Sequence, residues 1–415
     1  MLLCDLTLVD GDGVRTGDLR VSDGRIAAVG DLTADGDESV VSLPEVAAVP
    51  GLVDAHVHFS LSGERTVDDV VGMSDAELAL VEARNARRTL EAGVTGVRAM
   101  GARDVDVRLR DRIDVGDVPG PRMAANCRSI TATGGHGHHL GREITGPVDA
   151  RKAVREQSKQ GADFIKFMVT GGVTTPGTDP DAVALTDDEL DALVDEAHRR
   201  GMHAATHAHG AAGVKAAVRA GVDTVEHGTF LDDEAVDLLL ETETTLVPTL
   251  SAPYHIVRNM DAATADVQRK TEHVYERHIE SFGRAVEAGV RVAGGTDAGT
   301  PFNMHGANAA EAEFMAEYGM SPLDAIVAMT ETAADAVGLD DQGTLEPGTY
   351  ADVVLCAADP TDDLATLNDP AVVLKGGDVV GGSDYELRDA IRDAGRDDAA
   401  VSRTAKGARD SEPAE

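Results

Sequence analysis

Hydrophobic and polar positions follow two different periods along the chain. In residues 1–49 the stretches LTLVDGDG, GDLRVSDGRIAAVG and SVVSLPEVAAVPG alternate apolar with polar residues, with Asp-Gly turns between them. That pattern predicts short strands joined by tight turns. It returns near the other end, in GTLEPGTYADVVLCAADP and AVVLKGGDVVGG. The two ends are expected to build one small β-sandwich domain, with residues 1–49 as its first part and 343–385 as its second.

Over residues 50–342 the period changes. Short apolar or β-branched runs are each followed by a longer amphipathic stretch. The strand candidates are Val53–Phe59, Val94–Met100, Arg122–Ile130, Phe164–Val169, His203–His209, Thr224–Gly228, Thr245–Leu250 and Val292–Asp297. Stretches such as DAELALVEARNARRTLEAG and AAGVKAAVRAG close on Gly, a helix stop. This alternation fits an α/β fold, a (β/α)8 TIM barrel with catalytic side chains at the C-terminal ends of its strands. Residues 386–415 read as an acidic tail. Its end, RTAKGARDSEPAE, holds too little apolar surface to order itself and is expected to be disordered.

Composition narrows the function. The 415 residues are 42% hydrophobic, enough for a sizeable core. No apolar run reaches the ~20 residues of a membrane span. Met1-Leu2-Leu3-Cys4-Asp5 lacks the basic start of a secretory leader, and no apolar region precedes its faint likeness to a lipoprotein site. Cys4, Cys127 and Cys356 are scattered, which argues against a disulfide scaffold or a cysteine-built zinc site. A cytoplasmic location is expected. The net charge is −37, and the acidic residues are spread along the whole chain rather than gathered in one block. Adaptation to high salt explains such a surface better than an acidic docking face. Nucleic-acid binding is excluded at this charge. The expected partners are a small-molecule substrate and further copies of the chain, a homo-oligomer, with no membrane.

Against this background a few residues stand out. His56 and His58, in LVDAHVHF, share one face of a strand because side chains alternate with period two. Neutral imidazole is a common divalent-metal ligand, although two hydrogen-bonded core histidines would look the same. Lys166 sits inside the apolar run ADFIKFMVTGG. A buried lysine is unfavourable unless neutral or paired. A neutral amine can add carbon dioxide, and the resulting carbamate has two oxygens able to bridge two cations. The competing reading pairs Lys166 with a buried carboxylate. HAATHAHG carries His203, His207 and His209, of which the last two share a face. His227 follows Glu226 at the end of a strand candidate, and Asp297 ends the last one.

In this order on successive strand ends, PGLVDAHVHF, Lys166, His207, His227 and GGTDAG resemble the amidohydrolase superfamily of metal-dependent hydrolases, over nearly the whole chain. TATGGHGHH, IKFMVTGGVTTPG and VPTLSAPYH are similar to loops of its imidazolonepropionase-like proteins, Xaa-Pro dipeptidases and metallo-carboxypeptidases. The resemblance implies a binuclear centre of two divalent metal ions, zinc being the expected metal. His56, His58 and Asp297 would hold the first ion and His207 and His227 the second. Carbon dioxide, bound as a carbamate on Lys166, would join them.

The implied reaction is hydrolysis of an amide C–N bond by a metal-activated hydroxide, in a dipeptide or N-acyl amino acid. Asp297 would serve as base and then acid. His136 would bind substrate and donate to the developing oxyanion. Tyr254 and Arg258 are further candidates for a substrate carboxylate. Related peptidases resemble Gly-Gly-His-Gly-Asp where this chain has His136, His138 and His139 in Gly-Gly-His-Gly-His-His, which leaves substrate preference open. Imidazolonepropionase itself is mononuclear without a bridging lysine, so Lys166 argues against that enzyme. His138, His139, His203 and His209 are expected to be structural or to support the ligands. A cyclic-amide hydrolase of the hydantoin, dihydroorotate or imidazolone kind is the alternative enzyme, and a non-catalytic barrel serving as a binding module is the alternative outside catalysis.

Overall fold

The structure is a computed structural model and describes residues 1–66 and 68–396. The expected disorder of RTAKGARDSEPAE lies outside the described residues. Alternation at the start of the chain yields β1 (Leu2–Asp10), β2 (Gly13–Ser22), β3 (Arg25–Gly30), β4 (Val40–Ser42) and β5 (Ala47–Pro50). The central strands are β6 (Leu52–Val57), β7 (Val94–Ala99), β8 (Arg122–Ala125), β9 (Ile130–Ala132), β10 (Arg142–Ile144), β11 (Phe164–Met168), β12 (His203–Gly210), β13 (Thr224–Phe230) and β14 (Thr245–Val247). Near the end come β15 (Val353–Cys356), β16 (Val372–Lys375) and β17 (Asp378–Gly381).

Strands from the two chain ends share one eight-stranded sheet, ordered β17-β16-β15-β5-β1-β2-β3 with β4 on β1. The join is β15 against β5, antiparallel, with Val353 opposite Pro50. Inward positions of both ends, such as Leu3, Leu6, Leu19, Val353 and Leu374, pack in one core. Ile391, on a helix over 385–396, packs in the same core. The run read as the start of a tail therefore begins as a helix, because Ile391 gives it an apolar contact.

The central strands are parallel, in a three-stranded sheet β6-β7-β8 and a six-stranded sheet β10-β9-β11-β12-β13-β14. Residues 291–298 lie between the outer strands of the two. Leu246 N–H donates to Arg291 O and Ala293 N–H to Leu246 O, both at 2.9 Å, on the β14 side. On the β6 side Ala55 N–H donates to Gly294 O at 2.9 Å and Asp297 N–H to His56 O at 2.8 Å. This stretch forms only isolated bridges, to Leu246 and to Val57, rather than the continuous strand expected over Val292–Asp297. Gly294 and Gly295 explain its close approach: a Cβ on Gly295 would meet the Cβ of His56 at 3.0 Å.

The third expected strand, Arg122–Ile130, is broken between β8 and β9. Asn126 Nδ2 and Ser129 Oγ both donate to Met100 O, at 3.2 and 3.0 Å. Side chains there satisfy backbone groups that a ladder would otherwise use. Helices cover the outside of both sheets. Asp75–Glu91 starts with a capping box from Ser74 to Glu77. Pro147–Gln160, Ala211–Ala220 and Ala265–Ala288 stop at Gly161, Gly221 and Gly289 in the left-handed conformation. Among the described residues no helix is long and apolar enough to cross a membrane.

Candidate active site

The C-terminal ends of the parallel strands open into a cavity lined by His56, His58, His136, Lys166, His207, His209, His227 and Asp297. Local backbone geometry marks the place. His227, Thr249 and Asp297 adopt φ of 72°, 56° and 57°. Non-glycine residues rarely take this left-handed region, and such strain is kept where surrounding structure fixes it.

His56 Nδ1 lies 2.8 Å from Glu226 Oε2. A carboxylate only accepts, so Nδ1 carries a proton and Nε2 is the nitrogen left to face the cavity. That nitrogen is 3.3 Å from Asp297 Oδ1, and His58 Nε2 is 3.2 Å from the same oxygen. Asp297 Oδ1 is buried without an aligned hydrogen bond. His207 Nε2 is 3.0 Å from the carbonyl oxygen of Gly171, so its proton sits there and Nδ1 is free. His227 uses Nδ1 on Thr249 Oγ1 at 2.7 Å. Burial, reinforced by neighbouring imidazoles, keeps His207 and His227 well below the usual histidine range, so both present neutral nitrogens.

Lys166 is 1% exposed, and its Nζ has no hydrogen-bond partner among the described residues. The salt-bridged reading of this lysine finds no support among the described residues. The nearby carboxylate, Glu226, is held by Arg98 Nη2 at 2.8 Å on its other oxygen. Burial pushes the Lys166 ammonium down to about 8, so a neutral amine is readily reached.

Lone pairs and a carboxylate oxygen that face one another across a buried cavity repel unless a cation or a proton sits between them. Ligand atoms of His56, His227 and Asp297 lie within 4.8 Å of one another, and so do those of His207, His209 and His227. This donor set, imidazole with carboxylate, suits zinc, cobalt, nickel or iron. The residues present therefore fit a divalent metal ion.

His136 stacks on His207 with ring centroids 4.4 Å apart. Its Nδ1 is buried with no partner. Gly172 makes room for the ring, since a Cβ there would lie 2.4 Å from His136 Cε1. His139 also lines the cavity, whereas His138 is held by Nδ1–H donation to Gly135 O at 2.9 Å. His203 is exposed at the opposite end of β12. Tyr254 and Arg258 do not line the cavity. On the helix Ser251–Arg258 the phase turns Ala252, Pro253 and Ile256 toward it. Tyr254 packs instead on Phe314, with centroids 4.4 Å apart, and Arg258 is exposed at the helix end.

Two buried residues that hold the cavity's side chains escaped the sequence reading: Arg98, and Glu226 as the partner of His56. Arg98 is 1% exposed and donates to Ala55 O, Thr224 Oγ1 and Glu226 Oε1 at 2.8, 3.0 and 2.8 Å. The signal was available. A charged residue in the apolar run GVTGVRAM is as anomalous as Lys166 in its own strand.

Known proteins share this architecture. The model of the amidohydrolase family matches residues 47–380. Ochratoxinase of Aspergillus niger is 29% identical over 399 residues, covering 88% of this chain and 82% of that protein. A solved Xaa-Pro dipeptidase with methionine bound in its active site superposes with a TM-score of 0.85 at 33% identity. That match covers 92% of this chain and 99% of the other. A prolidase complexed with N-methylphosphonate-L-proline gives a TM-score of 0.86 at 26% identity, over 92% and 99% of the two chains. With the family pattern spanning most of its length and a buried histidine and carboxylate cavity at its strand ends, the chain belongs to the amidohydrolase family and is a hydrolase acting on carbon–nitrogen bonds.

Proposed function

We propose that this protein is a two-cation peptidase or N-acyl amino acid hydrolase, cleaving the amide bond before the substrate's C-terminal residue. The observation that carries this reading is Lys166: a buried amine with no partner, among imidazoles and a carboxylate. Carboxylation by carbon dioxide would turn that unfavourable amine into an anion able to join two cations. In this reading His56, His58 and Asp297 would hold one ion, His207 and His227 the other, and carboxylated Lys166 would join them. Zinc is the expected metal. Residues 50–342 form a (β/α)8 barrel with 291–298 as its eighth strand, and the sheet of the chain ends curls into a sandwich. The similarity to proteins named Xaa-Pro dipeptidase and prolidase supports the substrate class.

Bound divalent cations would lower the pKa of water and polarise a carbonyl oxygen. The chain's own residues supply the rest. Asp297 accepts the proton that water loses as its oxygen bonds to the carbonyl carbon. Asp297 then returns that proton to the nitrogen as the C–N bond breaks, so that an acid and an amine leave. His136, stacked on His207, directs a donor to the developing oxyanion or to a substrate carboxylate.

The test is metal analysis of the full chain with a hydrolysis screen of dipeptides and N-acyl amino acids in molar salt. Two divalent ions per chain, lost together with activity in Lys166→Ala, are expected. A chain that takes up no divalent ion and cleaves nothing after zinc and bicarbonate are supplied would overturn the reading.

A further inference from the structure

His209 is assigned to neither cation in the reading above, yet its ring lines the cavity beside His207 and His227. Its centroid is 4.6 Å from that of His207 and 4.7 Å from that of His227. What it offers the cavity follows from a chain of hydrogen bonds leading away from it.

His278, on the helix Ala265–Ala288, has Nε2 2.8 Å from the carbonyl oxygen of Pro248. A carbonyl oxygen only accepts, so Nε2 carries a proton. His278 is buried, which pushes it down to about 4 and leaves it neutral. Its Nδ1 is therefore an acceptor, and it lies 2.9 Å from Thr229 Oγ1. The single hydroxyl hydrogen of Thr229 must point there. The Thr229 oxygen can then only accept from His209 Nδ1, 2.7 Å away. The proton on His209 is thus fixed at Nδ1, and Nε2 is left bare.

We propose that His209 is a third imidazole donor, with His207 and His227, to the second divalent cation, and that Thr229 and His278 are positioning residues that fix its tautomer. The inference rests on the two-cation reading above. Its ligand atom is within 4.8 Å of those of His207 and His227, a spacing that a bound ion would draw in. All three rings are held by one nitrogen each, so reorienting any of them breaks a buried hydrogen bond. The pattern is that of metal-ligating histidines, whose second nitrogen is almost always engaged. Three nitrogens on one ion select zinc or cobalt over magnesium or calcium.

The experiment uses the full chain, stripped by a chelator and titrated with cobalt(II) in the presence of bicarbonate. Wild type is expected to bind two ions. In Thr229→Val, close in shape to the native residue, one of the two sites should weaken by about 10–100-fold. His209→Ala should weaken the same site at least as much and shift the visible absorption of its cobalt. His278→Phe should match Thr229→Val. Two ions bound at wild-type affinity with an unchanged spectrum in His209→Ala would overturn the inference and leave the two-cation reading standing, even if substrate KM rose. If His209→Ala does not fold, unchanged affinity in Thr229→Val overturns it. A wild type that binds no cobalt removes the two-cation reading, and the inference with it.

Discussion

Glu226 accepts the Nδ1 proton of His56 across 2.8 Å, with both side chains buried. The other Glu226 oxygen accepts from Arg98 Nη2 at 2.8 Å and from Thr224 Oγ1 at 2.6 Å. Burial disfavours this carboxylate, but the charge of Arg98 beside it and the hydrogen bond from His56 hold it down at about 2. A charge on β7 therefore fixes the tautomer of a histidine on β6, through a residue on β13.

Glu226→Gln is predicted to damage both roles. An amide can present its NH₂ group to one neighbour only by taking an acceptor from another. Metal affinity at the His56 site should fall by about 10–100-fold, as for other carboxylate partners of ligating histidines. The guanidinium of Arg98 would remain buried without its counter-charge, so stability should drop by about 3–5 kcal/mol. Cation titration and urea unfolding measure the two effects separately. Unchanged affinity would mean that something else sets the His56 tautomer.

Much of this centre was legible because burial makes polar residues conspicuous. His56 and His58 one residue apart, Lys166 in an apolar run, and Asp297 beside two glycines all break a hydrophobic pattern. Arg98 breaks it too and went unread, because no companion motif drew attention to it. Tyr254 and Arg258 were placed near the cavity by proximity in sequence alone. The phase of a two-turn helix decides which side faces inward, and no periodic stripe in SAPYHIVR announces it. The break in the third strand was hidden for a related reason. Asn126 and Ser129 look like ordinary polar positions until their partner, Met100 O, is in view.

His136 gives a prediction that separates catalysis from metal binding. It stands on Gly172, whose φ carries no left-handed requirement, so the need for glycine there is purely one of space. Gly172→Ala would put a methyl group 2.4 Å from His136 Cε1, so the imidazole must move. The expected result is a fall in kcat of about 10²–10³, the scale for losing one oxyanion donor. His136→Ala should lose as much, and both variants should keep their metal content. Loss of metal in either would make His136 a support of His207, on which it stacks, rather than a group facing substrate.

A second titrating region lies away from the centre. Glu82 and Asp106, on the helices Asp75–Glu91 and Val105–Asp114, are 0% and 1% exposed. Neither Glu82 oxygen has a hydrogen-bond partner. Burial, then the charge of Asp106, raises Glu82 well above its ordinary value, and burial raises Asp106 to about 7. Both folded values exceed the unfolded ones, so the fold favours the protonated forms. Their contribution is complete below the unfolded values and is lost as pH rises through the folded ones. Thermal stability should therefore decline as pH rises from ~4, the unfolded carboxyl range, through about 7, where folded Asp106 loses its proton, and Glu82→Gln should flatten that decline. Melting curves across this range at fixed salt provide the check. Parallel slopes in wild type and variant would assign the decline to other groups.

The overall charge makes the opposite demand on salt from the one that surface ion pairs make. Pairs such as Arg142 with Asp149 and Glu156, or Arg155 with Glu196, attract and would weaken as salt rises. The chain nevertheless has 74 acidic against 37 basic side chains, so repulsion among the unmatched 37 outweighs what the pairs contribute. Screening shortens from ~10 Å at 0.1 M to ~3 Å at 1 M, which removes most repulsion between exposed neighbours. The melting temperature is predicted to rise by several degrees between these concentrations. Sodium chloride is the salt to use, because sulfate strengthens apolar burial whatever the charge. A neutral osmolyte at equal osmolality serves as control and should give a smaller rise. If the melting temperature falls with sodium chloride, the paired charges dominate and adaptation to high salt is the wrong account of this surface.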